Sequence, residues 1–131
     1  MDDDATRARI RQFAEAINTA DMEVFDALYH DDVVIEWPQS GEVIRGKKNI
    51  RELRLAYPTP PTATLHRIAG SGGLWVMEMV FDYDGDRFHV IVFHQYRDAL
   101  VVRETSYYAA PFQAPAWRAR WVEPAAGSAP N

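Results

Sequence analysis

The sequence predicts an α+β domain in which three helices from the N-terminal half cover one face of a strongly curved, mostly antiparallel sheet. Two patterns and one turn carry that reading. Apolar residues with a helical period are confined to the first half, where Ile10, Phe13, Ala14 and Ile17 fall at i, i+3, i+4 and i+7. From residue 74 to 108 the period becomes two, with β-branched and aromatic side chains in three consecutive runs. Asp84-Gly85 joins the first two runs, a two-residue loop suited to the type I′ turn, whose positive φ values cost glycine nothing. The helices have only this sheet on which to bury their apolar sides.

The first stripe belongs to a helix from Ala5 to Asn18. Asn18-Thr19-Ala20-Asp21 breaks it, and Asp21 caps a shorter helix whose buried side is Met22, Phe25, Leu28 and Tyr29. His30-Asp31-Asp32 ends that helix. Val33 to Trp37 is short and β-branched, a strand stopped by Pro38, and Ser40-Gly41 turns the chain into a second short strand, Glu42 to Arg45, closed by Gly46. Lys47 to Tyr57 is a third helix with Ile50, Leu53 and Tyr57 on one side, and Pro58, Pro60 and Pro61 prevent its continuation. Thr62 to Ala69 is a strand, and Gly70-Ser71-Gly72-Gly73 a flexible loop before the hairpin. Beyond Tyr108, Pro111 and Pro115 rule out a regular continuation, while Phe112, Trp117 and Trp121 form aromatic surface that has to be buried somewhere. One domain, residues 5–122, is expected, with 123–131 as a flexible tail.

The Asp84-Gly85 loop sets residue 83 opposite 86. Phe81 then faces Phe88, Met79 faces Val90, Met77 faces Val92 and Trp75 faces His94, all on one side of the sheet. The opposite side, with Val76, Glu78, Val80, Asp82, Arg87, His89, Ile91 and Phe93, is mixed and partly wet. His94 is the one titratable ring on the apolar face. Imidazole is the side chain whose ordinary pKa, ~6.5, lies nearest neutrality, and desolvation beside Trp75 and Val92 favours the neutral ring that accepts a proton. Two readings stay open: a general base or acid, or a structural histidine bonded to a backbone carbonyl or water.

Glu104 is the candidate orienter of His94. With a three-residue loop, Arg97-Asp98-Ala99, Glu104 opposes Val92 and lies diagonal to His94, and Ser106 and Tyr108 also face inward. With a two-residue loop, Asp98-Ala99, it is Arg103, Thr105 and Tyr107 that face inward. A solvated glutamate near a sheet edge is the plainer alternative.

Composition excludes several classes of function. Among 131 residues, 14 Lys and Arg stand against 19 Asp and Glu, a net charge of −5 with no basic cluster. That argues against a nucleic-acid partner and against a polybasic membrane contact. Without cysteine there is no disulfide, thiolate nucleophile or Cys-type zinc site. The polar start lacks a signal peptide's apolar core, and no apolar run approaches the ~20 residues of a membrane span, so the expectation is cytoplasmic. The histidines lack ligand spacing, so no metal is expected. Gly70 to Gly73 lacks the Lys-Ser/Thr and the helix of a phosphate loop. No cofactor is expected.

The run I-x-x-F-A-x-A-I-N-x-x-D-M-x-x-F-x-x-L-Y-x-D-D-V-V-I-E-W-P, Ile10 to Pro38, resembles the nuclear transport factor 2-like superfamily, and within it the SnoaL-like proteins. Gly41 through Gly46 and the strand–Asp-Gly–strand hairpin extend the likeness over residues 5–110. The resemblance implies a cone: a bent sheet wrapped around helices, with a deep apolar pocket at its open end. Members isomerise ketosteroids, cyclise polyketides or hydrolyse epoxides, and many only bind or assemble, so the likeness assigns no reaction. Ketosteroid isomerases carry Val-Glu-Asp-Pro where this chain has Ile35-Glu36-Trp37-Pro38. Their aspartate base falls on Trp37, their first-helix tyrosine on Phe13, and their protonated aspartate near Val92 or His94. The Asp–Arg–Asp arrangement of an epoxide hydrolase finds no equivalent on the inward positions. Members commonly dimerise through the outer sheet face, where Val76, Val80, Ile91 and Phe93 supply apolar surface, so a homodimer through the sheet is expected.

The combined reading is a SnoaL-like protein that binds a small hydrophobic, cyclic molecule. Phe13, Trp37, Tyr57, Trp75, Met77, Met79, Val92 and Ser106 are its candidate pocket residues. As an enzyme it performs cofactor-free acid–base chemistry of the isomerase, cyclase or lyase type beside a carbonyl. His94 is then the base, Glu104 its orienter, and Tyr108 or Tyr57 the donor to the developing oxyanion. The rival is a non-catalytic binding or assembly module.

Overall fold

The computed structural model describes residues 1–126. In chain order the elements are α1 (Asp3–Thr19), α2 (Met22–Leu28), β1 (Tyr29–Trp37), β2 (Glu42–Arg45), α3 (Lys47–Leu55), β3 (Thr62–Ser71), β4 (Leu74–Tyr83), β5 (Asp86–Arg97), β6 (Leu100–Ala109) and a 3-10 turn (Ala116–Trp121). One curved sheet in the order β2-β1-β6-β5-β4-β3 holds all six strands, antiparallel except for the β1–β6 pair. Among the described residues no helix is long and apolar enough to cross a membrane.

Helices α1 and α2 begin where short polar side chains satisfy free N–H groups. The Asp2 carboxylate accepts from the Ala5 N–H at 2.8 Å, and Asp21 accepts from the Val24 N–H at 3.2 Å. The α1 stripe of Ile10, Phe13, Ala14 and Ile17 is buried against the inner face of the sheet with Trp75, Met77 and Met79. At ~25 cal/mol per Å² of apolar area, burying each of the larger side chains contributes roughly 1.5–3 kcal/mol.

Three element ends differ from expectation. Tyr29 does not continue α2; it opens β1 and pairs with Val101 of β6. Its partner strand lies far along the chain, so nothing near Tyr29 announces the change. Helix α3 stops at Leu55, because the proline after Tyr57 disfavours helical backbone at that residue. The expected loop at Gly70 to Gly73 is mostly strand: Gly70 pairs with Trp75 and Ser71 with Leu74, leaving only Gly72-Gly73 as the turn. Gly70 has to be glycine there. Its φ is +144°, and a Cβ would lie 2.5 Å from the Leu74 carbonyl oxygen and 2.7 Å from the Trp75 Cα.

The β4–β5 register follows the Asp84-Gly85 turn: Tyr83 pairs with Asp86, Phe81 with Phe88, Met79 with Val90, Met77 with Val92 and Trp75 with His94. The last hairpin corrects the three-residue loop. Arg97 pairs with Leu100, so the loop is Asp98-Ala99, with φ values of 54° and 63°. Taken alone, that register would turn Arg103, Thr105 and Tyr107 inward. A bulge at Val102 restores the other parity, since Tyr96 pairs with Val101 but Gln95 with Arg103. Glu104 therefore lies directly opposite His94, not opposite Val92, and Ser106 and Tyr108 pair with Val92 and Val90.

Beyond Ala109 the chain leaves the sheet. Phe112, Trp117 and Trp121 are exposed rather than packed on their own domain. Residues 123–126 of the expected tail are exposed, and 127–131 lie outside the described residues.

Candidate functional site

Three buried side chains and one partly buried guanidinium meet on the inner face of the sheet. His94 and Glu104 stand opposite each other on β5 and β6, and His94 Nε2 lies 2.7 Å from Glu104 Oε1. Because β1 runs beside β6, the first residue of β1 reaches the same carboxylate: the Tyr29 hydroxyl donates to Glu104 Oε1 at 2.9 Å. Arg54, in the last turn of α3, donates from Nη2 to the Tyr29 oxygen at 2.8 Å and stands 4.0 Å from Glu104 Oε2. Its guanidinium lies 3.8 Å from the centre of the Phe25 ring, a cation–π contact that keeps the charge close to apolar walls. The His94 ring sits edge-on to Phe13, with 4.7 Å between centres.

Burial alone would raise the Glu104 carboxyl pKa, but the His94 hydrogen bond, the His94 and Arg54 charges and the Tyr29 hydroxyl outweigh it and hold it below the ordinary 4.5. Glu104 is thus a carboxylate at neutral pH. Burial works against the Arg54 charge, yet Tyr29 and Glu104 push its pKa up, so the guanidinium keeps its proton. Burial also raises Tyr29 well above its usual value, and raises Tyr108 likewise. Both phenols remain hydrogen-bond donors. A carboxylate can only accept, so His94 donates to it from Nε2.

Glu104 also forms part of the floor of a cavity between the helices and the sheet. Phe13, Ile17, Met22, Phe25, Phe81 and Val92 make its apolar walls, and Pro60 and Pro61 line it from the chain after α3. Arg54, Tyr57, Glu104, Ser106 and Tyr108 supply the polar groups. The empty volume is about 580 Å³ to the open mouth. That volume includes the solvent at its mouth, and the cleft itself is narrow.

Of the residues the sequence nominates, Phe13, Tyr57, Val92, Glu104, Ser106 and Tyr108 line this cavity together. Trp75, Met77 and Met79 instead fill closed core, and the Trp75 indole N–H donates to the Gly72 carbonyl at 2.9 Å. Trp37 lines an adjoining surface groove with Leu53, Tyr57, Tyr83 and Tyr108. His94 is 0% exposed and sits behind Glu104, away from the cavity surface. Tyr29 and Arg54 went unnominated. Arg54 carried a signal: it lies four residues after the buried Ile50 and so shares the inward face of α3. Tyr29 carried none, because its place depends on the parallel strand pair. Among the described residues no group of three or more His, Asp or Glu side chains is arranged to hold a metal ion.

Residues 10–104 match the SnoaL-like domain, and the chain belongs to that family. Among solved structures it is similar to an NTF-2 like protein of unknown function from Burkholderia xenovorans LB400, with 34% identity, a TM-score of 0.87, and 95% of this chain and 98% of the other covered. It is similar also to a "putative ketosteroid isomerase" from Kribbella flavida DSM 17836, with 28% identity, a TM-score of 0.84, and 91% and 88% covered. An LEH-like epoxide hydrolase from M. tuberculosis shares the fold at 22% identity and a TM-score of 0.65, with 77% and 80% covered. The sequence matches no curated protein.

Proposed function

We propose that this SnoaL-like protein binds a small, mainly hydrophobic, cyclic molecule in the cleft, with a neutral polar group of the ligand set against Glu104. One observation carries the reading: a single carboxylate lines a largely apolar cleft with one of its oxygens already committed. Tyr29 and His94 both occupy Oε1, whereas Oε2 has only Arg54 at 4.0 Å. Oε2 is therefore the acceptor open to a ligand hydroxyl or N–H. Arg54 balances the Glu104 charge, so burying an ionic ligand beside them would leave a charge uncompensated, while a neutral donor would not. Likeness to the Kribbella protein agrees with a cyclic ligand.

Proton transfer is the second reading, favoured by Ser106 and Tyr108 beside Glu104 in the same cleft. Glu104 then takes a proton from carbon next to the ligand carbonyl, and the Tyr108 or Tyr57 hydroxyl donates to the developing oxyanion. The roles expected for the pair are exchanged, with Glu104 touching the ligand and His94 acting through it as a positioning residue. The lowered pKa of Glu104 weakens it as a base. That ranks binding ahead of catalysis.

A thermal-shift screen of cyclic ketones, phenols and lactams on wild type and Glu104→Gln tests the proposal. A ligand at 100 times its Kd adds about 2.7 kcal/mol to wild type. The gain should shrink in Glu104→Gln. If no compound raises the wild-type midpoint, or every hit is indifferent to Glu104→Gln, the binding reading fails. Deuterium uptake next to the carbonyl of a hit in heavy water, present in wild type and absent in Glu104→Gln, separates turnover from binding.

A further inference from the structure

We infer that residues 111–122 form a strap that folds back over its own domain, seating Trp117 in the groove beside the cleft and covering the cleft from that side. Phe112, Trp117 and Trp121 are 74%, 75% and 67% exposed, whereas Trp75 is 1% exposed within the fold. Arg120 covers one face of the Trp121 ring, at 4.6 Å, from within the same segment. Rings exposed at this density leave apolar surface that burial would stabilise. The segment is free to swing. Residues 111–115 belong to no helix or strand, and among the described residues the backbone of 111–122 makes no hydrogen bond to the sheet or the helices.

The receiving groove lies at the root of the segment. Trp37, Leu53, Tyr57 and Tyr108 wall it, and Tyr57 and Tyr108 also line the cleft. A segment laid in the groove therefore covers two residues of the cleft wall. Gln39 pins the point from which the segment departs: its side-chain amide donates to the Tyr108 carbonyl and accepts from the Tyr108 N–H, both at 2.6 Å. Leu53 is 37% exposed on the wall, so the groove as well as the strap has apolar surface without cover. The charges agree. Glu42 on the rim belongs to no ion pair among the described residues, and the strap brings Arg118 and Arg120.

Reach and concentration decide for this groove. At ~3.3–3.6 Å per residue, the chain from Tyr108 to Trp117 spans up to about 30 Å, enough to double back along the groove from its own edge. A tethered segment meets its own groove at an effective concentration on the order of millimolar, against micromolar for a second copy. Docking needs no ligand and is independent of what the cleft binds. Closure shields the cleft from water, and reopening gates exchange of whatever occupies it.

The chain has no cysteine, so paired cysteines in the full chain report closure: a disulfide forms only when two Cα atoms come within ~7 Å. Ala116→Cys/Ser40→Cys, with its second thiol on the groove rim, should form an intramolecular disulfide under mild oxidant at micromolar protein. Ala116→Cys/Phe93→Cys, with its second thiol on the outer sheet face, should not. Adding Trp117→Ser to the first pair should slow its cross-link about tenfold, because the ring that seats in the groove is gone. Circular dichroism checks that each variant keeps the fold. The absence of an intramolecular disulfide with Ser40→Cys overturns the inference. So does equal yield with Phe93→Cys, or a rate indifferent to Trp117→Ser, either of which describes a loose tether. A covalent dimer as the main product overturns it too and assigns the rings to a second copy.

Discussion

Replacing Glu104 with alanine removes the one acceptor that Tyr29 and His94 share and the counter-charge that faces Arg54. Each donor left without a partner in a buried site costs about 1–3 kcal/mol, and breaking a buried ion pair about 3–5 kcal/mol. These losses overlap, and Arg54, 16% exposed, relieves part of its own by reaching water. The expected loss is about 3–5 kcal/mol. Unfolding entropy of ~2.1 cal/mol/K per residue over 131 residues converts that to a midpoint lower by about 10–18 °C. Glu104→Gln keeps the shape and an acceptor oxygen but loses the charge, so it should cost less, about 1–2 kcal/mol. The pH dependence has a definite sign. The folded-state pKa of Glu104 lies below the ordinary 4.5, so its contribution is fully present above that value and is lost as pH falls through the folded pKa. The gap between wild type and Glu104→Gln should therefore be constant near neutrality and close on acidification. Differential scanning calorimetry from neutral pH down to the acid limb measures it. A Glu104→Ala loss below about 1 kcal/mol, or a gap that widens in acid, would refute the network as described.

Three further outcomes follow from the geometry. Gly70→Ala should cost about 2–4 kcal/mol in urea unfolding, because the new Cβ meets backbone atoms that no rotamer change can move; a neutral result would mean that the β3–β4 turn is built otherwise. Ala99→Gly should stabilise by about 0.5–1 kcal/mol, since alanine at φ 63° bears a left-handed penalty that glycine avoids, and a loss of stability would contradict the two-residue loop. Ser106→Leu should cost about 1–3 kcal/mol of stability, since the larger side chain enters a buried position, and abolish stabilisation by any ligand found in the thermal-shift screen. Retained binding would place that ligand outside the cleft.

What the sequence determined by itself is what short stretches dictate. Asp84-Gly85 fixed the pairing of Trp75 with His94, each nine residues from the turn, because a two-residue turn leaves no freedom of register. The i, i+3, i+4 spacing marked the buried side of α1, and His94 was legible as an inward residue, whereas Glu104 faced inward in only one of two loop registers. Only the tertiary structure decided how they are used. The Val102 bulge placed Glu104 opposite His94, and no local residue pattern encodes a bulge that compensates a shorter loop. The parallel β1–β6 pairing delivered Tyr29 from 75 positions away along the chain. Phe13, Met77 and Trp75 look alike as apolar inward residues, yet Phe13 borders the cleft and the other two are sealed in the core. Periodicity states which face a side chain takes. Whether that face meets packing atoms or open space depends on where helices distant in sequence come to rest on the sheet.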